Sequence, residues 1–140
     1  MAGEIVLGQD GSEGSGQALT VACELAKQLD RKLVIAYAYE VSKLGGEVQD
    51  LARSLREHGE GVTSEAAAKA SEAGVDSETV IESGNIADAL ARLAEQRGAS
   101  MIVVGSRGES SIRGLVLGSV AHKLLHLAST PVLVVPTHSG

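Results

Sequence analysis

Short runs that are apolar at nearly every position alternate, from one end of this chain to the other, with longer segments that are apolar only every third or fourth residue. Ile5-Val6-Leu7, residues 32–39, residues 101–104 and Val132–Val135 are the clear runs, and Thr79-Val80-Ile81 is a weaker one. A strand apolar on both faces suits the interior of a parallel sheet covered on both sides, whereas a half-exposed strand would alternate with polar residues. Between the runs lie segments with helical spacing. Ala18, Leu19, Ala22, Leu25, Ala26 and Leu29 mark one over residues 17–29, and Ile86, Leu90, Leu93 and Ala94 mark another. Val120, Ala121, Leu124, Leu125 and Ala128 mark a last one over residues 118–128. Asn85 followed by Asp88 reads as an N-cap, and Gly98 as the matching C-terminal stop. The segment from 47 to 71 is rich in Ala, Glu, Lys and Arg and helical in character, but Gly59 and Gly61 interrupt it. Either a kink or two helices fits. Its charges read as a solvated face.

The order is therefore β-α-β-α-β-α-β-α-β, and strands alternating with helices imply crossover units, a parallel sheet and helices on both faces. At 140 residues the chain has the length of one domain, and residues 1–140 show no linker, repeat or second unit. Residues 41–46 read as a loop, and residues 137–140 are expected to fray.

Composition removes several classes of function. Eighteen acidic against twelve basic residues give a net charge of −6, which argues against a nucleic-acid partner. Tyr37 and Tyr39 are the only aromatic residues, too few for a base-stacking platform. No apolar run approaches the roughly 18 residues of a membrane-spanning helix, and the N-terminus lacks the basic region of a signal peptide. Cys23 is the only cysteine, so no internal disulfide forms, and a reducing cytoplasm is the expected compartment. Beside an apolar helical stripe, Cys23 reads as a small core residue rather than a nucleophile.

Chemistry in such sheets gathers beyond the carboxyl ends of the strands, where the winding direction reverses. Two strand ends carry unusual loops: Gly8-Gln9-Asp10-Gly11-Ser12 after the first, and residues 105–119 after the fourth. In the second, Gly105 and Gly108 leave room for a close backbone approach, and Gly118-Ser119 opens a helix whose free amides and positive dipole end attract an anion. Arg107 and Arg113 add cationic donors. Each residue alone fits a turn or cap; together, after a buried strand, they point to anion binding. No Gly-x-x-x-x-Gly-Lys-Ser/Thr and no Gly-x-Gly-x-x-Gly is present, so a P-loop and a dinucleotide fingerprint are both excluded. His122 and His126, four apart on a predicted helix, lack a third ligand nearby in sequence. They read as a solvated or partner-facing helix edge, and no metal site is assigned. Asp10 has no activated hydroxyl partner and reads as a ligand or metal contact, so no catalytic residue is assigned.

The spacing Gly105-x2-Gly108-x9-Gly118-Ser119 resembles the ATP-binding signature of the universal stress protein family. The flanking residues 102–108, 117–120 and 130–136 are similar to that family too, as are residues 5–13 with Asp10. The resemblance implies an open five-stranded parallel sheet in the order 3-2-1-4-5, of Rossmann-like type, with an ATP cleft beside strands 1 and 4. It implies ATP, with Mg2+, as the ligand. Asp10, together with Gly8 and Gln9, would lie on the adenosine side, and Ala38 would offer backbone groups to the adenine. Gly105, Ser106, Arg107, Gly108, Leu117, Gly118, Ser119 and Val120 would surround ribose and phosphates. A homodimer through Val132–Val135 is also implied, and an apolar edge strand does need cover. Gln9 departs from the small or apolar residue often found there, and Glu109 puts a negative charge in the loop. The expected function is a nucleotide-dependent regulatory module of the stress response acting on an unknown protein partner. The alternative is an enzyme using the same cleft, a slow ATPase or an adenylate-transferring enzyme. Against it, the Ser-Gly-Gly-x-Asp-Ser and His-x-Gly-His signatures of such enzymes are missing. A purely structural dimer with an empty cleft is the third reading.

Overall fold

All five apolar runs are strands, and they lie side by side in parallel in the order β3-β2-β1-β4-β5. In a computed structural model, which describes residues 3–41, 48–107 and 117–137, they are β1 (Ile5–Gly8), β2 (Leu33–Tyr39), β3 (Ser77–Ser83), β4 (Met101–Gly105) and β5 (Val132–Val135). The helices between them are α1 (Glu13–Leu29), α2 (Val48–Glu72), α3 (Ile86–Arg97) and α4 (Ser119–Leu127). The expected sheet order and the helices on both faces are therefore what the chain adopts.

Strand periodicity divides the core in two. Ile5, Leu7, Leu33, Ile35 and Val103 point to the face covered by α1 and α2, where Ala18, Leu19, Ala22, Ala66 and Ala70 receive them. Val6, Val34, Ala36, Ile102 and Val104 point to the opposite face, against Leu90, Leu93 and Ala94 of α3 and Ala121 and Leu124 of α4. Cys23 lies within the first cluster as expected, and burial pushes its thiol above the ordinary value, which disfavours thiolate.

Helix boundaries follow local chemistry. Asn85 Oδ1 accepts the Asp88 amide at 3.1 Å, and Gly98 closes α3 in the left-handed region with φ 61°. Helix α1 begins at Glu13, four residues ahead of the expected 17, because Ser12 is its N-cap and accepts the Ser15 amide at 3.2 Å. Hydrophobic spacing does not register this polar first turn.

The interrupted segment is one continuous helix of 25 residues. Gly59 does not break it; it lets α2 cross the ring of Tyr37, which a Cβ at that position would overlap. Thr63 Oγ1 donates to the Gly59 carbonyl at 2.9 Å within the same stretch.

A charged cluster ties the amino ends of the strands. Arg97 at the end of α3 bridges Glu4 and both oxygens of Glu78, and Lys32 reaches Glu78 at 3.1 Å. The two sheet edges differ. The outer edge β3 reads Ser-Glu-Thr-Val-Ile-Glu-Ser, and β5 reads Val-Leu-Val-Val with Leu133 exposed.

Candidate functional site

Strand β1 is the centre of the sheet, and the chain winds away from it toward β2 on one side and β4 on the other. The crevice at such a reversal is where a ligand can reach several strand ends at once. Its first wall is the β1–α1 loop. The Gln9 amide extends the ladder by donating to the Ala36 carbonyl at 2.9 Å. Its side chain, 8% exposed, donates from Nε2 to the Ser15 carbonyl at 2.6 Å. Gln9 therefore fastens the loop to α1, a use of the unusual residue that spacing alone does not disclose. Asp10 Oδ1 accepts the Ser12 amide at 2.9 Å and so shapes the turn that presents the α1 cap.

Strand β2 outruns β1. The Ala36 carbonyl faces Gln9, and the Tyr39 carbonyl faces β3, where it accepts the Gly84 amide at 2.8 Å. Alternate residues of a parallel strand turn their backbone groups to opposite neighbours. Ala38 therefore directs its amide and carbonyl to the β1 side, past the point where β1 stops at Gly8.

The second wall is the tip of β4. A Cβ on Gly105 would lie 2.7 Å from the Gly14 carbonyl oxygen, and one on Gly14 would overlap the Arg107 carbonyl. Two glycines thus allow α1 to press against the β4 tip; Gly14 carries no motif and has only this packing reason. The Ser106 amide donates to the Val135 carbonyl at 2.8 Å. Ser106 Oγ accepts the Thr137 amide at 2.9 Å, and Arg107 Nη2 donates to the Thr137 carbonyl at 3.2 Å. Thr137, expected to fray, is tied to the site by these contacts; residues 138–140 lie outside the described residues.

The third wall is the start of α4. The Gly118 amide donates to the Ser106 carbonyl, which joins the β4 tip to the helix mouth. Helix α4 has no side-chain cap, so the first-turn amides that follow, those of Ser119, Val120 and Ala121, have no acceptor within the helix. Leu117 is half-buried and packs against the α3–α4 core, and Ser119 is exposed. The structure thus brings Gly8, Gln9, Asp10, Ala38, Gly105, Ser106, Arg107, Leu117, Gly118, Ser119 and Val120 to one end of the sheet. Gly108, Glu109 and Arg113, and positions 42–46 of the loop expected over 41–46, lie outside the described residues.

Helix α2 adds residues that no motif marks. His58 stacks edge-on against Tyr37, with ring centroids 5.8 Å apart, and lies beside Gly11. A cleft of about 100 Å3 opens between α1 and α2, with Gln9, Ser12, Ser15 and Lys69 on its walls. Among the described residues no three His, Cys, Asp or Glu side chains converge as metal ligands, and no helix is long and apolar enough to cross a membrane.

The profile of the universal stress protein family matches residues 1–136. The chain belongs to that family. Universal stress protein YxiE of Bacillus subtilis is 34% identical to it over 96% of this chain and 99% of its own length. A universal stress protein solved in complex with cAMP is 31% identical, covers 100% of both chains and superposes with a TM-score of 0.78. The structure of hypothetical protein MJ0577 superposes with a TM-score of 0.89 over 100% of this chain and 99% of its own, at 20% identity, and shares the fold. This universal stress protein therefore carries the family sheet, and its crevice is built from Asp10, Ala38 and the β4 and α4 ends.

Proposed function

We propose that this universal stress protein binds an adenine nucleotide, ATP with Mg2+, across the ends of β1, β2 and β4, and acts as a nucleotide-dependent regulatory module. The observation that carries the reading is the pairing of two backbone donor sets: Ala38 turned over the tip of β1, and the uncapped first turn of α4. The backbone amide and carbonyl of Ala38 match the donor–acceptor edge of adenine. The amides of Ser119 and Val120, the Ser119 hydroxyl and the positive end of α4 suit phosphate oxygens. Arg107, just past the tip of β4, adds charge. The Gly118 amide is used by Ser106, so Gly118 shapes this cradle rather than donating to it. Asp10 borders the ribose side, and Mg2+ enters on the nucleotide's own phosphates, as that ion commonly does. A relative solved in complex with cAMP supports an adenine nucleotide as the ligand. A homodimer through β5 completes the reading, since Leu133 leaves an apolar edge that gains cover by pairing.

Calorimetric titration with ATP, AMP and cAMP tests it. ATP is expected to bind with one site per chain, and Asp10→Ala and Gly118→Ala to weaken it at least tenfold. Gly118 has φ −73°, which alanine adopts freely, so that variant adds a Cβ without backbone strain. Absence of binding by all three nucleotides, or equal affinity in the wild type and both variants, would overturn the assignment. Mass spectrometry of ligand released on denaturation provides an independent readout.

A further inference from the structure

Helix α4 has a second end, away from the crevice, and its last two turns carry His122 and His126. Their rings meet edge-on with centroids 4.7 Å apart, and both residues are exposed. Among the described residues neither ring has a hydrogen-bond partner. Lys123 stands between them in sequence, but its ammonium is turned to Asp88 of α3 at 3.3 Å and so is drawn toward α3.

We propose that His122 and His126 form a two-imidazole site for a divalent transition ion. Histidines at i and i+4 stand on one helix face, the arrangement used by helical zinc ligands. With metal–nitrogen bonds of about 2.0–2.1 Å and angles of about 90–110° at the ion, two ligating imidazoles have centroids about 4.5–5.2 Å apart. The observed 4.7 Å falls inside that interval before any ion is present. His126 lies in the last turn, where the negative end of the helix dipole favours a cation. Among the described residues no third ligand joins the pair. With two protein ligands, water fills the remaining positions in the proposed site, which makes it open and exchangeable rather than a closed structural zinc. Imidazole nitrogens select Cu2+, Ni2+ and Zn2+ over Mg2+ or Ca2+, with Cu2+ the tightest. The site stands apart from the nucleotide reading and does not depend on it.

Titration of the full chain with Cu2+, followed by electron paramagnetic resonance, decides the matter. One ion per chain with two coordinated imidazole nitrogens is expected. His122→Ala and His126→Ala each lower the affinity at least tenfold, and His58→Ala leaves it unchanged. Substoichiometric Cu2+ in the unsubstituted protein broadens the ring resonances of His122 and His126 first, a readout that needs no variant to fold. Equal affinity in all variants, a spectrum with a single imidazole, or broadening centred elsewhere overturns the assignment.

Discussion

Gly59 of α2 crosses the ring of Tyr37 so closely that a single added methyl group would overlap its Cδ1 and Cε1 atoms. The contact sets the height at which α2 rides over the sheet, and it places His58 against the same ring and beside Gly11.

Gly59→Ala and Gly61→Ala form a matched pair. Both sit inside α2, where alanine gains about 1 kcal/mol of helix propensity over glycine. At Gly61 no atom stands within 4 Å of the new Cβ, so that variant is expected to be stabilised by roughly 0.5–1 kcal/mol. At Gly59 overpacking against Tyr37 costs about 1–3 kcal/mol and outweighs the gain. Urea midpoints should move in opposite directions; a shared upward shift would show that α2 does not need the notch.

The same pair of glycines shows what the sequence does and does not disclose. Strand positions were legible because residues such as Val6, Val34 and Ile102 must be apolar when both faces of the sheet are covered. Asn85 and Gly98 were legible because caps obey local rules. Gly59 was not, since its reason is a ring contributed by β2, some twenty residues earlier in the chain. The site followed the same division. Asp10, Gly105 and Ser119 stand in a recognisable spacing, but Gly14, His58 and Thr137 join the crevice only through packing between distant segments.

Glu78 should govern acid sensitivity. Hydrogen bonds from Arg97 and Lys32 hold its carboxyl at about 2, below an ordinary 4.5. Ionised Glu78 is thus favoured in the folded chain, and its contribution is full above about pH 4.5 and drains as pH falls toward about 2. The cluster is part-exposed, so solvent screening limits the effect to about 1 kcal/mol or less. Glu78→Gln should lower stability near neutrality and approach the wild type at the bottom of that window. Denaturant unfolding at several pH values checks this, and parallel curves would refute it.

Ser106→Ala removes the acceptor of the Thr137 amide from a residue that is 8% exposed. The bond is part-buried, so water can reach the freed amide and the loss costs about 0.5–1.5 kcal/mol. Faster hydrogen exchange at the Thr137 amide should accompany the loss in unfolding free energy. Unchanged exchange would mean that β5 holds Thr137 without help.

Asn85→Ala deletes the side-chain cap of α3 and should cost about 1 kcal/mol. Asn85→Asp retains an acceptor and should remain within a few tenths of the wild type. Thermal unfolding of the two variants distinguishes a capping role from a simple turn preference.

The contrast between the outer strands limits what this molecule can build. A stranger's backbone that approaches β3 meets Glu82 and the Glu78–Arg97–Lys32 cluster, and charged groups on an open border discourage pairing. On the far flank, Val132–Val135 offers no such deterrent. In the proposed pairing through β5, one adhesive rim opposite a charged one favours a closed pair over an extended ribbon. On that proposal the charged rim is the safeguard against runaway polymerisation.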